Sequence, residues 1–180
     1  MNNSYNFPLF KTFEVSDTIV DFLNSTLGWY RSANDNHHNP NFEGEDCFRT
    51  GNLVLWDDSE FNKFSDTALR ELYSEHLGIE KDKFEFTWAC MLDYGSGATM
   101  GLHKHMHNED FGIVIYLNDC DDGQTDFFLN DYNMNSLMRT KISITPQKGF
   151  AACFSSMVFH EGSFSTQNKK MFVSGMKFKE

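Results

Sequence analysis

The stretch Leu102-His103-Lys104-His105-Met106-His107-Asn108-Glu109-Asp110 carries the densest chemistry in the chain. Alternate side chains of a β-strand face the same way, so three histidines at two-residue spacing share one face if this segment is extended. A strand rises about 3.3 Å per residue, which sets i and i+2 about 6.6 Å apart and i and i+4 about 13 Å apart. Neighbouring members of the row therefore reach one metal ion, and the outer two do not unless the strand bends. The usable pairs are His103/His105, His105/His107 and His107/Glu109. Three of the seven histidines fall in this short stretch, which weighs against a solvated polar strand with chance histidines. Two histidines with one carboxylate and open positions suit non-haem Fe(II), whereas three histidines suit zinc chemistry or an Fe(II) dioxygenase. Spacing alone does not choose between them. His37 and His38, in a polar stretch, read as solvated loop histidines.

Outward from this row, the texture is that of a β-rich protein. From residue 83 on, short apolar runs alternate with turns: 83–92, 111–118, 125–129, 141–145, 149–154 and 170–178. Short strands at regular spacing signal an all-β sandwich or barrel. The first 82 residues read differently. A weak alternation over 5–15 suggests an edge strand. Ser16 then has the character of a helix N-cap, with Asp17 in the first turn and Ile19, Val20, Phe22, Leu23 and Leu27 forming a stripe that ends near Gly28. Residues 31–52 are polar and turn-rich and read as a long loop. A second helix is expected from about Asp58 to Leu77, closed by Gly78. The expectation is one domain, mainly β with N-terminal helices. In it, a helical support region (1–82) buttresses a β core (83–180).

Composition narrows the function. The chain has 180 residues, enough for one core but not comfortably for two. Its apolar fraction of 40% and its 19 Phe argue against wholesale disorder. A formal charge of −11, from 15 Lys+Arg against 26 Asp+Glu, argues against nucleic acid as the main partner, since phosphate binding needs clustered positive charge. Cys47, Cys90, Cys120 and Cys153 form no C-x-x-C pair and read as reduced thiols, two of them (Cys90, Cys153) within apolar strands. The opening residues lack the basic and apolar regions of a secretory signal, and no run of about 18 apolar residues exists to span a membrane. A cytoplasmic setting is the simplest expectation.

Five further motifs surround the histidine row in a fixed order. Tyr94-Gly95-Ser96-Gly97 precedes it, with His103 nine residues after the tyrosine. Tyr116-Leu117-Asn118 ends the next strand, and Asp122-Gly123-Gln124-Thr125-Asp126-Phe127 forms a turn into another. Pro146-Gln147-Lys148-Gly149 steps into an apolar strand running to Phe154. Finally, Phe159-His160-Glu161-Gly162 supplies a distal histidine, followed ten residues later by Lys170 at the start of the last strand. In this order and spacing the second half of the chain resembles the Fe(II)- and 2-oxoglutarate-dependent oxygenases, in particular their prolyl-4-hydroxylase-like branch. The resemblance implies a double-stranded β-helix (a jelly-roll, cupin-like core). It also implies Fe(II) as cofactor, 2-oxoglutarate as cosubstrate, and hydroxylation by O₂ of a C–H bond in a small molecule or in a peptide or protein, such as a prolyl residue.

Residue roles follow from the same resemblance. His103 and His160 would hold Fe(II) as neutral imidazoles. Lys170 would meet the distal carboxylate of 2-oxoglutarate, with Tyr116 sharing it, and Thr125 and Tyr94 would line the cosubstrate pocket. Lys169 is chemically equal to Lys170, and the register of the final strand favours Lys170. The chain departs from the family at one point: the family's Asp, two residues after the first histidine, is His105 here. Either His105 is the third ligand, or the register slips to His107 and Glu109, or Glu109 or Asp110 loops back. The gapless spacing to Tyr94 and Tyr116 selects His103 and favours His105 as the third. The rival function is a non-catalytic or cupin-like metal-binding β-helix module with an altered shell.

Overall fold

The computed structural model describes residues 9–33, 42–43, 47–54, 59–105, 109–130 and 139–179. Among these described residues, two antiparallel sheets face each other. The larger has six strands in the order β1-β9-β6-β11-β4-β3, and the smaller has five in the order β2-β5-β10-β7-β8. The strands are β1 (Phe10–Glu14), β2 (Phe42–Glu43), β3 (Cys47–Arg49), β4 (Phe84–Tyr94), β5 (Thr99–His103), β6 (Phe111–Tyr116), β7 (Thr125–Asn130), β8 (Arg139–Ile144), β9 (Phe150–Ser155), β10 (Phe159–Gly162) and β11 (Lys169–Phe178). From β4 to β11 the chain passes back and forth between the sheets, and this winding is the expected double-stranded β-helix.

The two-residue period of the strands separates two cores. Ala89, Met91, Ile113, Ile115, Ala151, Cys153 and Phe172 face the helices and join Val20, Leu23, Leu27, Leu69 and Tyr73. Their strand neighbours Cys90, Leu92, Tyr94, Val114, Tyr116, Ala152, Phe154 and Met171 face the other sheet. This alternation makes the larger sheet a partition, with helices on one side and the inter-sheet space on the other. The helices are α1 (Asp17–Ser32), α2 (Ser59–Phe64), a π-helical turn (Ser65–Leu69) and α3 (Arg70–Leu77). None of the described helices is long and apolar enough to cross a membrane.

One helix end and three short strands differ from the expectations. Helix α1 runs through Gly28 to Ser32, because Tyr30, one turn beyond Leu27, is also buried; packing outweighs the roughly 1 kcal/mol helix penalty of a glycine. The stretch expected to be a loop contains β2 and β3, which add to the free edges of β5 and β4. Such strands owe their form to ladder hydrogen bonds and carry no apolar alternation for a sequence reading to find. The short β10 is held between β5 and β7 in the same way. His37, His38, His107 and the beginning of the expected first strand lie outside the described residues. None of the four cysteines is in a disulfide.

Candidate metal centre

His103 ends β5 and lies directly opposite His160 of β10 in the strand register. His105 follows just after the strand, its backbone N–H donating to Ser156 O at 3.1 Å. Ring centres are 4.1 Å apart for His103 and His160, 4.9 Å for His105 and His160, and 5.4 Å for His103 and His105. One nitrogen from each ring falls within 4.8 Å of the other two, a spacing that fits a single metal ion. Among the described residues, His103, His105 and His160 are thus brought together, and the alternative through His107 lies outside them. Asp110 turns away, its carboxylate accepting from Phe178 N–H at 2.7 Å.

The hydrogen bonds around the rings set their tautomers. Nδ1 of His103 is 2.8 Å from Gly101 O and Nδ1 of His160 is 3.1 Å from Val158 O. A carbonyl only accepts, so Nδ1 carries the proton and Nε2 keeps the lone pair a metal needs. Burial pushes both histidines below the ordinary imidazole value, His160 strongly so, and the neighbouring imidazoles push the same way. Both are therefore held neutral, the form that ligates. His160 packs against Phe127 and Phe154, which shield the cluster on the apolar side.

The cluster opens into a cavity of about 490 Å³ between the sheets, bordered among others by Arg49, Trp88, Leu92, Tyr94, Thr125 and Met171. Arg49, from a stretch expected to be a loop, reaches it from β3 and donates Nε–H to Cys90 Sγ at 3.5 Å. Thr125 borders the cavity, and the hydroxyl of buried Tyr116 lies beside that of Thr125 in the layer beneath. The two hydroxyls are close enough to interact with each other, but without the geometry of a full hydrogen bond. Thr125 is the one of the two that lines the cavity, so its hydroxyl is the one within reach of a polar ligand there.

Of the two lysines that open β11, it is Lys169 and not Lys170 that faces the inter-sheet space. Lys169, only 1% exposed, pairs with Tyr94 and stands on the inter-sheet face with Met171. Its Nζ donates to Gly123 O at 2.8 Å and sits 5.0 Å from the centre of the Tyr94 ring. Lys170 pairs with Asp93 and shares the opposite, helix-side face with Phe172. Counting from His160 cannot fix this register, because an irregular connection separates β10 from β11; pairing with β4 fixes it. Burial lowers the Lys169 ammonium to about 8, partly offset by Cys120 and Asp122.

No protein-family model matches the sequence, and no curated protein is similar to it. Solved structures do match in fold. A Pseudomonas putida prolyl-4-hydroxylase is 16% identical, with a TM-score of 0.68 over 96% of this chain and 94% of that one. A Trichoplax adhaerens prolyl hydroxylase, solved with a peptide fragment of the hypoxia inducible factor oxygen degradation domain, is 18% identical, with a TM-score of 0.66 over 98% and 86%. The α-ketoglutarate-dependent carbocyclase SnoK of nogalamycin biosynthesis is 10% identical, with a TM-score of 0.71 over 96% and 81%. The fold is that of the Fe(II)/2-oxoglutarate oxygenases broadly, with no branch favoured over another.

Proposed function

We propose that this chain is a metal-binding β-helix protein of the 2-oxoglutarate-oxygenase fold whose shell is three neutral histidines. The observation that carries the reading is the convergence of His103, His105 and His160 in the wall of the inter-sheet cavity. The donor set fits a divalent first-row ion such as Fe(II), and with no carboxylate among the three the ion would keep more of its positive charge. When bound, it would supply Lewis-acid or redox chemistry next to an apolar chamber. His103 and His160 hold their rings by backbone carbonyls, and Phe127 and Phe154 exclude water behind them. Anaerobic Fe(II) titration and metal analysis of the purified protein test the reading. Wild type should bind stoichiometrically and His160→Ala should not. Undiminished binding in His160→Ala would remove the site.

A second reading, an oxygenase using 2-oxoglutarate and O₂ to hydroxylate a C–H bond, is favoured by the polar end of the cavity. Thr125 lines the cavity and Lys169 Nζ lies just behind Gly162 of its wall, a pair that suits a carboxylate; a charge-assisted bond of this kind contributes about 1.5–3 kcal/mol. Tyr94 would wall the site. A prolyl residue in a peptide is the substrate suggested by analogy with the prolyl hydroxylases of this fold. Succinate release with Fe(II), with and without proline-containing peptides, tests it; no turnover in either arm leaves the metal-binding module as the function.

A further inference from the structure

We infer that Glu109 is the carboxylate of this metal centre, set one imidazole outside the shell as the positioning residue of His105. The inference rests on the three-histidine metal reading and deepens it. His103 and His160 each anchor Nδ1 on a backbone carbonyl, but His105 does not: its Nδ1 is buried and makes no hydrogen bond. Facing it at 3.5 Å is Glu109 Oε2. That carboxylate is nearly buried, its side chain 9% exposed, and it accepts from Trp88 Nε1–H at 2.8 Å. Among the described residues no Lys or Arg lies within ion-pair distance of Glu109; His105 is the group that does. A buried carboxylate without a cation is costly. A metal ion on the other nitrogen of His105 would supply the missing positive charge through the ring.

The surrounding backbone is shaped to hold this carboxylate. β4 carries one extra residue, Thr87, between the Phe86–Met176 and Trp88–Gly175 pairs. A bulge re-aims the side chains beyond it: Phe86 packs with the helix-side core, whereas Trp88 borders the cavity. Opposite Trp88 stands Gly175, where a Cβ would collide with both Glu109 Oε2 and Trp88 Nε1. Across the next strand pair stands Gly112, where a Cβ would sit 3.6 Å from His105 Nδ1 and 3.0 Å from Phe154 Cζ. Two paired glycines and a bulge thus make room for the Trp88–Glu109–His105 row. The negative charge lost from the inner shell by His105 is returned one ring further out. A carboxylate accepting from Nδ1–H would fix the tautomer that ligates through Nε2 and make that nitrogen a stronger donor.

Co(II) binding to the full-length protein, followed by its visible absorption, tests this. Glu109→Gln keeps the shape and removes the charge. It should weaken Co(II) binding roughly 10- to 100-fold and change the absorption bands, while the melting temperature of the metal-free protein does not fall. If Glu109→Gln fails to fold, Trp88→Phe, which removes the donor to Glu109, is read in the same way. Weaker Co(II) binding with altered bands supports the inference, and affinity and bands equal to wild type overturn it. Wild type that binds no Co(II), or His160→Ala that binds like wild type, overturns the metal centre and this inference together. If wild type binds, His160→Ala does not and the Glu109 variant behaves as wild type, the inference alone falls.

Discussion

Lys169 and Tyr94 are cross-strand partners in β11 and β4, and the lysine Nζ lies 5.0 Å from the centre of the tyrosine ring. This contact, with the bond to Gly123 O, is how a charged side chain persists between two apolar sheets. Among the described residues no carboxylate pairs with it. Asp122 is engaged by Ser165 and Thr166, and Asp126 by Lys141 and Ser143. The ammonium thus stands between the sheets with a carbonyl and a ring face as its partners.

The two neighbouring lysines should therefore separate cleanly in a binding assay. Lys169→Ala should raise the 2-oxoglutarate dissociation constant of the metal-loaded protein at least about 30-fold, the lower end for truncating one partner of a buried charge pair. Lys170→Ala, on the helix side of the sheet, should stay within about threefold of wild type. Calorimetric titration of both variants checks this. Equal losses in the two would mean that the anion does not enter at the Lys169 end.

Gly123 should be irreplaceable for the same site. Its φ of +73° lies in the left-handed region, and a Cβ there would meet Ser165 Cβ at 2.5 Å. Left-handed alanine alone costs about 1–2 kcal/mol, and the clash would move the carbonyl that accepts from Lys169. Gly123→Ala should lower stability by about 2 kcal/mol or more in urea unfolding and weaken 2-oxoglutarate binding together. A variant as stable as wild type would show that the turn relaxes freely.

How much of this was legible in the sequence depended on whether a feature is local. The strands β4, β6, β9 and β11 announce themselves by apolar runs because both their faces are covered, and the histidines by their two-residue spacing. His160 was legible through its Phe-His-Glu-Gly setting. The face of Lys169 was not, since it depends on which residue of β11 meets Tyr94. Trp88 carried no signal either: the bulge at Thr87 that turns it into the cavity is a property of strand pairing. Glu109 was visible only as a possible ligand, because its partner across the sheet, Gly175, is remote in sequence.

On the helix side, Arg31 should matter through Asp93. The carboxylate is 2% exposed and its Oδ2 meets Arg31 Nη1 at 2.6 Å, while Oδ1 has no partner. Burial raises the Asp93 carboxyl, and Arg31 and then Lys170 act against it. Arg31→Ala should destabilise by about 1–2 kcal/mol at neutral pH, a figure kept low because the arginine itself is half-exposed. Arg31 favours only the ionised form, so the loss should shrink as the pH falls and Asp93 is protonated. Chemical unfolding at neutral and acid pH checks this; a loss independent of pH would point to packing instead.

Keeping Lys169 buried has a cost in stability. Its folded-state value is about 8 against 10.5 when exposed, a difference of order 3 kcal/mol against the charged form at neutral pH. Replacing it by Met fills similar space without charge but forfeits the bond to Gly123 O and the contact with Tyr94, about 1 kcal/mol each. Lys169→Met should therefore be more stable than wild type by about 1 kcal/mol at pH 7 while losing affinity for 2-oxoglutarate. The pH dependence has a definite sign. Below pH 8 the lysine is protonated in both folded and unfolded chains, so the advantage of the Met variant is constant. Between pH 8 and 10.5 the unfolded chain still binds the proton and the folded protein does not. Wild-type stability then rises relative to the variant, and above that window wild type is the more stable by about 2 kcal/mol. Comparing the two proteins by denaturant unfolding across pH 7–10.5 isolates this group, because the cysteines and tyrosines that also titrate there are common to both. A Met variant less stable than wild type at pH 7, or a gap unchanged across the window, would mean that the ammonium is solvated in the folded protein and is not poised for an anion.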